Sequence, residues 1–412
     1  MRALQSSSFF LLGLSFTLTL AVRPALVVAQ ASESGQPAES VAPAHLNIAI
    51  ENWARPVTGW LYVLDPKPDK GGRGGRIWLV DPDSSKVMGS IRTGDHADFA
   101  LSPDGGRLYV ASVTDGDMSE LAVIDTAAGT IIETTTVEDR ALSGDLPPFS
   151  TMAVSGDGLA LRILIDAPKS ADADTFLLAT LDTRTGDFSP RSVHLGNCGP
   201  GRFISYEAAD HFDVLCPRTN RVRLIRVDAN SAELQNVDIT LPWERRAGVA
   251  EAIEAPGAQD VAIVRGDGAV VTMNRDTQGF ADTAERGVQA NRVPPAAWPT
   301  SPDGSRIYLG YNNGYDRSAD NRFYLDYGRP PNVRPSDAMA YEFRVLDTRT
   351  WKKVGMIKTK APFWSAVPSI DGKTLYAMAP QKHSILVIDT EKRRQTRVLK
   401  VGGAPALAMI AP

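Results

Sequence analysis

A repeated pair of turns constrains the fold of this chain more than any other feature. The first turn, Ser-x-Asp-Gly, occurs at residues 102–105, 155–158, 301–304 and 369–372. The second closes an apolar strand on an acidic residue, as in LAVIDT and ILVIDT, and falls at Asp81, Asp125, Asp182, Asp228, Asp347 and Asp389. Short polar side chains and glycine at such positions are typical of tight turns between antiparallel strands.

The number and spacing of these repeats predict a propeller. A weaker copy of the second turn, VVTMNRD at residues 270–276, brings the total to seven, and most copies are forty to fifty residues apart. This is the period of a four-stranded propeller blade. We therefore predict an all-β fold, a seven-bladed β-propeller over residues 45–412 with very little helix. Because closure hides the sheet edges, we expect an N-terminal strand to complete the last blade beside residues 384–389 and 396–401.

The first residues have the features of an export signal. A basic start, Met1-Arg2, precedes an apolar run at residues 9–21 and the small-x-small sequence Ala29-Gln30-Ala31. The run is shorter than the ~20 residues that a membrane span needs. We predict a signal peptide over residues 1–31, a disordered leader rich in Ser, Glu, Pro and Ala over residues 32–44, and a periplasmic location without a membrane span after processing.

Cys198 and Cys216 are the two cysteines of the chain. In an exported protein an isolated pair favours a disulfide, and we predict one between them. The alternative is a metal site that also uses His194 and His211. These residues form neither a His-x-His nor a Cys-x-x-Cys pair, and close spacing of this kind is what zinc sites favour.

Composition and motifs narrow the classes of function. The net charge is −4 and the basic residues are scattered along the chain, so we predict no nucleic-acid partner. The sequence lacks a Gly-x-Ser-x-Gly elbow, a His-Glu-x-x-His pair and a dinucleotide-binding fingerprint. We predict neither a catalytic residue nor a metal site in this chain.

Two segments are candidates for contact with a ligand or partner. In RTGDHADFA, residues 92–100, His96 and Phe99 precede or begin the first strand of a blade, and we predict that they face a substrate channel or a partner. The alternative is that Phe99 packs between blades and His96 is solvated. Residues 310–340 lengthen one repeat with a polar loop rich in tyrosine and proline, which indicates either a contact surface or tolerated surface.

In its motifs and their order the chain resembles the heavy chain of the quinone-dependent amine dehydrogenases, the methylamine and aromatic amine dehydrogenase family. The matched places are LYVLDP at residues 61–66, IWLVDP followed by KVMGSI, the separation of Cys198 and Cys216, and the ending FRVLDTRTWKKVGMI and SIDGKTLYAM. The resemblance extends over nearly all of the chain after the signal peptide. Its specificity comes from order and spacing, since each motif alone is common to propellers.

The resemblance implies a two-plus-two heterotetramer with a small subunit that carries tryptophan tryptophylquinone. That light subunit oxidises primary amines to aldehyde and ammonia, and a small copper protein or cytochrome accepts the electrons. The heavy chain is then a non-catalytic scaffold that helps to enclose the substrate channel. Asp95 stands where family members have an aromatic residue at this channel. The alternative hypothesis is a stand-alone periplasmic propeller that binds a protein or small ligand.

Overall fold

The computed structural model describes the greater part of the chain after residue 47. The described residues are 48–65, 74–113, 119–137, 152–166, 176–193, 202–205, 211–217, 222–228, 234–239, 249–254, 260–265, 270–274, 280–282, 299–311 and 340–412. The predicted signal peptide and leader lie outside this set, as do Cys198 and residues 312–339 of the inserted loop. The disulfide therefore stays a prediction.

The described strands form seven antiparallel sheets, here called A to G in chain order. Sheet A consists of β1 (Ala49–Glu51), β2 (Leu61–Asp65), β3 (Arg76–Asp81), β4 (Lys86–Arg92) and β28 (Leu407–Ile410). Sheet B consists of β5 (Asp95–Leu101), β6 (Arg107–Val113), β7 (Ser119–Asp125) and β8 (Thr130–Val137). Sheet C consists of β9 (Met152–Val154), β10 (Ala160–Asp166), β11 (Phe176–Asp182) and β12 (Phe188–Val193).

The remaining sheets repeat this order of strands. Sheet D consists of β13 (Arg202–Ser205), β14 (His211–Pro217), β15 (Val222–Asp228) and β16 (Leu234–Ile239). Sheet E consists of β17 (Val249–Glu254), β18 (Asp260–Arg265), β19 (Val270–Asn274) and β20 (Phe280–Asp282). Sheet F consists of β21 (Arg306–Tyr311), β22 (Ala340–Asp347) and β23 (Lys353–Phe363). Sheet G consists of β24 (Ser365–Pro368), β25 (Thr374–Ala379), β26 (Ser384–Asp389) and β27 (Arg394–Lys400).

These elements confirm the prediction of an all-β, propeller-like fold. Each group of consecutive strands pairs as an antiparallel meander, which is the blade pattern of a propeller. The helix among the described residues is one 3-10 turn at Pro380–Lys382. Within this part of the chain no helix is long and apolar enough to cross a membrane.

The Ser-x-Asp-Gly turns fold by one hydrogen-bond pattern. In sheet B the Ser102 hydroxyl donates to Asp104 Oδ1 at 2.6 Å and accepts from the Arg107 amide at 2.9 Å. Gly105 has φ 69°, a conformation that L side chains rarely adopt, which explains glycine at the fourth position. The same serine-to-aspartate bond occurs at Ser155, Ser301 and Ser369.

The second turn is tied to the first by a threonine. Thr126 follows the acidic residue Asp125, and its hydroxyl donates to the carbonyl of Gly105 at 2.6 Å. Thr183, Thr348 and Thr390 make the equivalent bond in sheets C, F and G. Both kinds of turn therefore lie at one end of their sheet, called the turn end below. The opposite end, where the longer connections lie, is called the loop end.

The hydrophobic core lies between neighbouring sheets. One cluster joins sheets A and B through side chains such as Tyr62, Leu79, Phe99 and Val110. Further clusters join sheets B and C, sheets F and G, and sheets G and A. Each described sheet of these pairs thus buries apolar side chains against its neighbour, as the alternation of each strand requires.

The two ends of the described chain meet in sheet A, in a different way from the expected one. β28 pairs with β2 over Leu61↔Ile410 to Leu64↔Leu407, while β1 pairs with β4 at the opposite edge of the same sheet. The C-terminal strand therefore joins the first sheet, and the expectation that an N-terminal strand completes the last sheet is wrong. Sheet G obtains all four strands locally, so its edge offers no place for β1.

The turn carboxylates predict a loss of stability in acid. The serine hydroxyl beside each carboxyl, followed by a backbone amide, lowers the pKa of Asp104, Asp157, Asp303 and Asp371. A folded-state pKa below the unfolded value, about 3.9, stabilises the fold above that pH, and this contribution is lost as the pH falls through the folded-state pKa. We expect Asp371→Asn to lower the free energy of unfolding by about 1 kcal/mol at neutral pH and by less near pH 3. Urea unfolding at both pH values measures this.

Glu391→Gln, which removes an exposed charge from the neighbouring turn, is the matched control and is expected to change stability by less than about 0.5 kcal/mol. Equal losses for Asp371→Asn at both pH values would contradict the assignment.

The pairing of β28 predicts an unequal response at the two edges of sheet A. Ala408 is 7 % exposed and packs in the cluster between sheets G and A. Ala408→Asp places a charge there, and we expect a loss of at least about 3 kcal/mol. Ala49→Asp, on the opposite edge strand β1, is expected to cost about 1 kcal/mol. Urea unfolding of both variants measures the two losses in the free energy of unfolding. Similar losses would show that β28 contributes no more to stability than β1.

Candidate functional site

The loop end holds the most deeply buried carboxyl groups of the described residues. Asp65, Asp98, Glu120 and Glu342 are at most 6 % exposed. Asp65, Glu120 and Glu342 lie in the loop-end halves of β2, β7 and β22, and Asp98 is the central residue of β5. Where their side chains are described, the acidic residues of the turn end are exposed or half-buried, and the turns use them as hydrogen-bond acceptors. Buried ionisable groups outside a structural repeat are candidates for function. We call these four residues the loop-end carboxylates.

Asp65 is held by the segment that connects β27 to β28. It is fully buried, and its Oδ2 accepts a hydrogen bond from the amide of Ala404 at 3.0 Å. Gly403 lies so close that an added Cβ would overlap Asp65 Oδ2. The imidazole Nδ1 of His383 lies 3.1 Å from the carbonyl oxygen of Gly403. The acidic residue that ends LYVLD thus organises the contact between the first and last sheets at the loop end.

Glu120 lies between sheets A and B. It is 2 % exposed and stands opposite Ser112 in the pairing of β6 with β7. The Ser112 hydroxyl accepts from the amide of Gly94 at 3.2 Å, in the short connection between β4 and β5. Glu120 therefore shares a face of sheet B with a polar contact to sheet A and with apolar residues of the cluster between the two sheets, such as Val110 and Ala122.

Asp98 and Glu342 have different partners. Asp98 Oδ1 accepts from the amide of Phe99 at 2.8 Å, beside an irregularity in the pairing of β5 with β6. Glu342 Oε1 accepts from Arg344 Nε at 3.4 Å, and the two side chains are 4 % and 15 % exposed. The pair is well shielded from water, so its attraction exceeds that of a surface ion pair.

The residues predicted from sequence lie in the same region. His96 and Phe99 are both in β5, but only the backbone of His96 is described. Phe99 is 1 % exposed and belongs to the apolar cluster between sheets A and B, which is the alternative considered for it. Its ring offers no surface to a partner. The prediction that Phe99 faces a substrate channel or a partner is therefore wrong. Asp98, the neighbouring residue, is the polar side chain among those that the structure describes in β5.

The cysteines and metal ligands can be placed only in part. Cys216 lies in β14, and Cys198 lies outside the described residues. Among the described residues no group of three or more His, Cys, Asp or Glu side chains is arranged to hold a metal ion. The loop-end carboxylates stand in several sheets and are not one such group.

Sequence reasoning missed three features of this structure. The first is the set of loop-end carboxylates, which the sequence could have revealed. An acidic residue inside an apolar strand, such as Glu120 in SELAVID, indicates a buried charge. Arg162 in β10 is 3 % exposed, and burial lowers the pKa of its guanidinium to about 10, an effect that Asp157 opposes. The third is charge: residues 340–412 contain thirteen Lys or Arg and five Asp or Glu, so the basic residues are not scattered evenly.

Comparison with known proteins supports the fold. No family model matches the chain, and no curated protein does. A functionally unknown protein from Desulfotomaculum acetoxidans is similar with a TM-score of 0.60 and 12 % identity, covering 86 % of this chain and 99 % of that one. Kuenenia stuttgartiensis hydrazine synthase is similar with a TM-score of 0.53 and 15 % identity, over 86 % and 99 % of the two chains.

A third similar structure is the dihydro-heme d1 dehydrogenase NirN in complex with DHE, with a TM-score of 0.52 and 14 % identity. The similarity covers 83 % of this chain and 64 % of that protein. At such identities the similarity shows the fold alone, an all-β, propeller-like architecture.

The contact between Gly403 and Asp65 gives a direct test of the loop end. Gly403→Ala would push a methyl group into the Asp65 carboxylate, and we expect a loss of about 2 kcal/mol in the free energy of unfolding. Gly402→Ala, whose Cβ would lie 3.3 Å from the edge of the Trp78 ring, is the neighbouring control and is expected to cost less. Equal costs in urea unfolding would show that Asp65 does not constrain this segment.

Proposed function

We propose that this protein is a non-catalytic propeller scaffold whose loop end binds a partner. The observation that carries the proposal is the difference between the two ends of the sheets. The turn end repeats one hydrogen-bonded structure in sheets B, C, F and G, as a purely structural element does. The loop end holds the buried carboxylates and the connections that differ from sheet to sheet.

We further propose that the partner is the small, quinone-bearing subunit of an amine dehydrogenase. The order of motifs along the chain supports this, from LYVLDP to SIDGKTLYAM. The reaction would convert a primary amine and water into an aldehyde, ammonia, two protons and two electrons. Tryptophan tryptophylquinone in the small subunit would supply the electrophilic carbonyl and accept the electrons. In this reading the protein is periplasmic and passes no electrons through its own side chains.

The chemistry of the loop end fits a cationic substrate. A primary amine is protonated at neutral pH, and carboxylates near a channel raise the local concentration of a cation. Asp98 lies in β5, the strand predicted to border the channel, and it is 6 % exposed. We infer that Asp98 contributes to the negative potential at the channel.

The second candidate is a stand-alone binding protein. The similar structures include proteins named as a dehydrogenase and a synthase, as well as one of unknown function. The fold therefore does not determine an activity, and a loop end rich in buried carboxylates also suits a small cationic ligand.

Purification from the native host under mild conditions separates the two candidates. For the subunit, we expect a small protein to co-purify, to absorb in the visible range and to bleach when a primary amine is added, while this chain alone is colourless and does not reduce a dye with amine. A lone colourless monomer from the host would exclude the subunit and leave the binding protein.

A variant tests the role of Asp98 within the complex. Asp98→Asn is expected to raise the amine KM several-fold with little change in kcat, because it lowers the local concentration of the cation. Asp371→Asn, at the turn end, is the control and should leave KM unchanged. An unchanged KM in Asp98→Asn would remove this residue from the channel without affecting the subunit assignment.

A further inference from the structure

Basic side chains concentrate on the last strands of sheets F and G. β23 and β27 carry no Asp or Glu. Their basic residues are Lys353, Lys358, Lys360, Arg394, Arg397 and Lys400. We call these six residues the basic rim.

The basic rim is one continuous surface. β23 and β27 are in contact although they belong to different sheets. The amide of Lys360 donates to Gln395 Oε1 at 2.9 Å, across the boundary between the two sheets. At the same boundary the Arg393 guanidinium lies against Gly355, where an added Cβ would be 2.7 Å from its Cζ. The side chains of both strands are therefore presented together.

Most charges of the basic rim are available to a partner. Lys358, Lys360, Arg394 and Lys400 are exposed, and they form no ion pair with any residue that the structure describes. Arg397 lies 3.7 Å from an oxygen of Asp83, whose side chain is 96 % exposed. A surface pair of this kind is screened by water and salt and is easily exchanged for another anion.

Protection of sheet edges does not account for this distribution. Lysine on an edge strand does oppose edge-to-edge aggregation. However, β8, β16 and β20, which are also the last strands of their sheets, contain no Lys or Arg. The asymmetry also extends to the whole chain, since residues 340–412 have a net charge of +8 and the remaining residues a net charge of −12.

We propose that the basic rim is a peripheral docking surface for an anionic lipid membrane. The charges sit on long, flexible side chains spread over two strands, which suits the diffuse charge of lipid headgroups more than a single pocket on a protein. Met356 and Val398 lie among them and are 41 % and 43 % exposed, so apolar contact accompanies the charge. The acidic remainder of the chain is repelled by such a surface, so the protein would dock in one orientation, on sheets F and G.

Vesicle co-sedimentation tests this inference, which does not depend on the proposed function. The purified protein is mixed with vesicles of phosphatidylcholine alone or with about a third phosphatidylglycerol, at low salt and at about 0.5 M salt. We expect binding to the phosphatidylglycerol vesicles at low salt and release at high salt. Binding to phosphatidylcholine alone, or no binding to either, overturns the proposal.

Matched variants assign the binding to the basic rim. The triple variant Lys358→Gln, Arg394→Gln and Lys400→Gln is expected to weaken vesicle binding at least tenfold. The control Arg55→Gln, Lys86→Gln and Arg92→Gln removes the same charge from exposed sites outside sheets F and G and is expected to weaken vesicle binding less than threefold. Circular dichroism checks that both remain folded, and equal weakening by the two triples overturns the assignment.

Sedimentation velocity without vesicles tests the alternative that the basic rim binds the acidic part of a second copy of this chain. Low-salt self-association that the rim triple abolishes would overturn the lipid assignment in favour of that contact. A monomer at low salt, together with vesicle binding, supports the lipid surface.

Discussion

Antiparallel pairing of β28 with β2 is the interaction on which the arrangement of the sheets depends. It brings residues 61–64 and 407–410 of the sequence into one sheet, and so links the last sheet to the first. Strands distant in sequence pay a larger entropic cost to meet than strands joined by a turn. The contact is reinforced by Asp65 with Ala404, by Ser365 with the carbonyl of Ala406, and by the apolar cluster between sheets G and A.

The two ends of the sheets differ in how regular they are. At the turn end, serine, aspartate and threonine satisfy each other and the backbone in nearly the same geometry in sheets B, C, F and G. Such local bonds fix the register of each hairpin, so the opposite end can vary in length and composition without loss of the fold. Ionisable side chains that are buried outside this repeated structure are candidates for a role in binding, and the loop-end carboxylates are of this kind.

The basic and the buried acidic side chains lie in different parts of the molecule. The basic rim lies on the last strands of sheets F and G, while the loop-end carboxylates lie at one end of sheets A, B and F. A partner at the loop end and a membrane at the basic rim would therefore use different residues. A protein held in this way would present its loop end in a defined orientation to a soluble partner.

By itself the sequence determined the all-β fold and the strand pattern, because turn chemistry and alternation are local. The turn at residues 369–372 forms from its own side chains, since the Ser369 hydroxyl donates to Asp371 and Gly372 adopts a positive φ. This local turn brings the two flanking strands together as a hairpin. It also placed Phe99 at the start of a blade, but not on which side of the strand it would lie. Only the tertiary structure decided that Phe99 packs against sheet A, that β28 and not β1 pairs with β2, and that Lys358 and Arg394 share one surface. These outcomes depend on contacts between residues far apart in sequence, and no local pattern encodes which of two strands or two faces will be chosen.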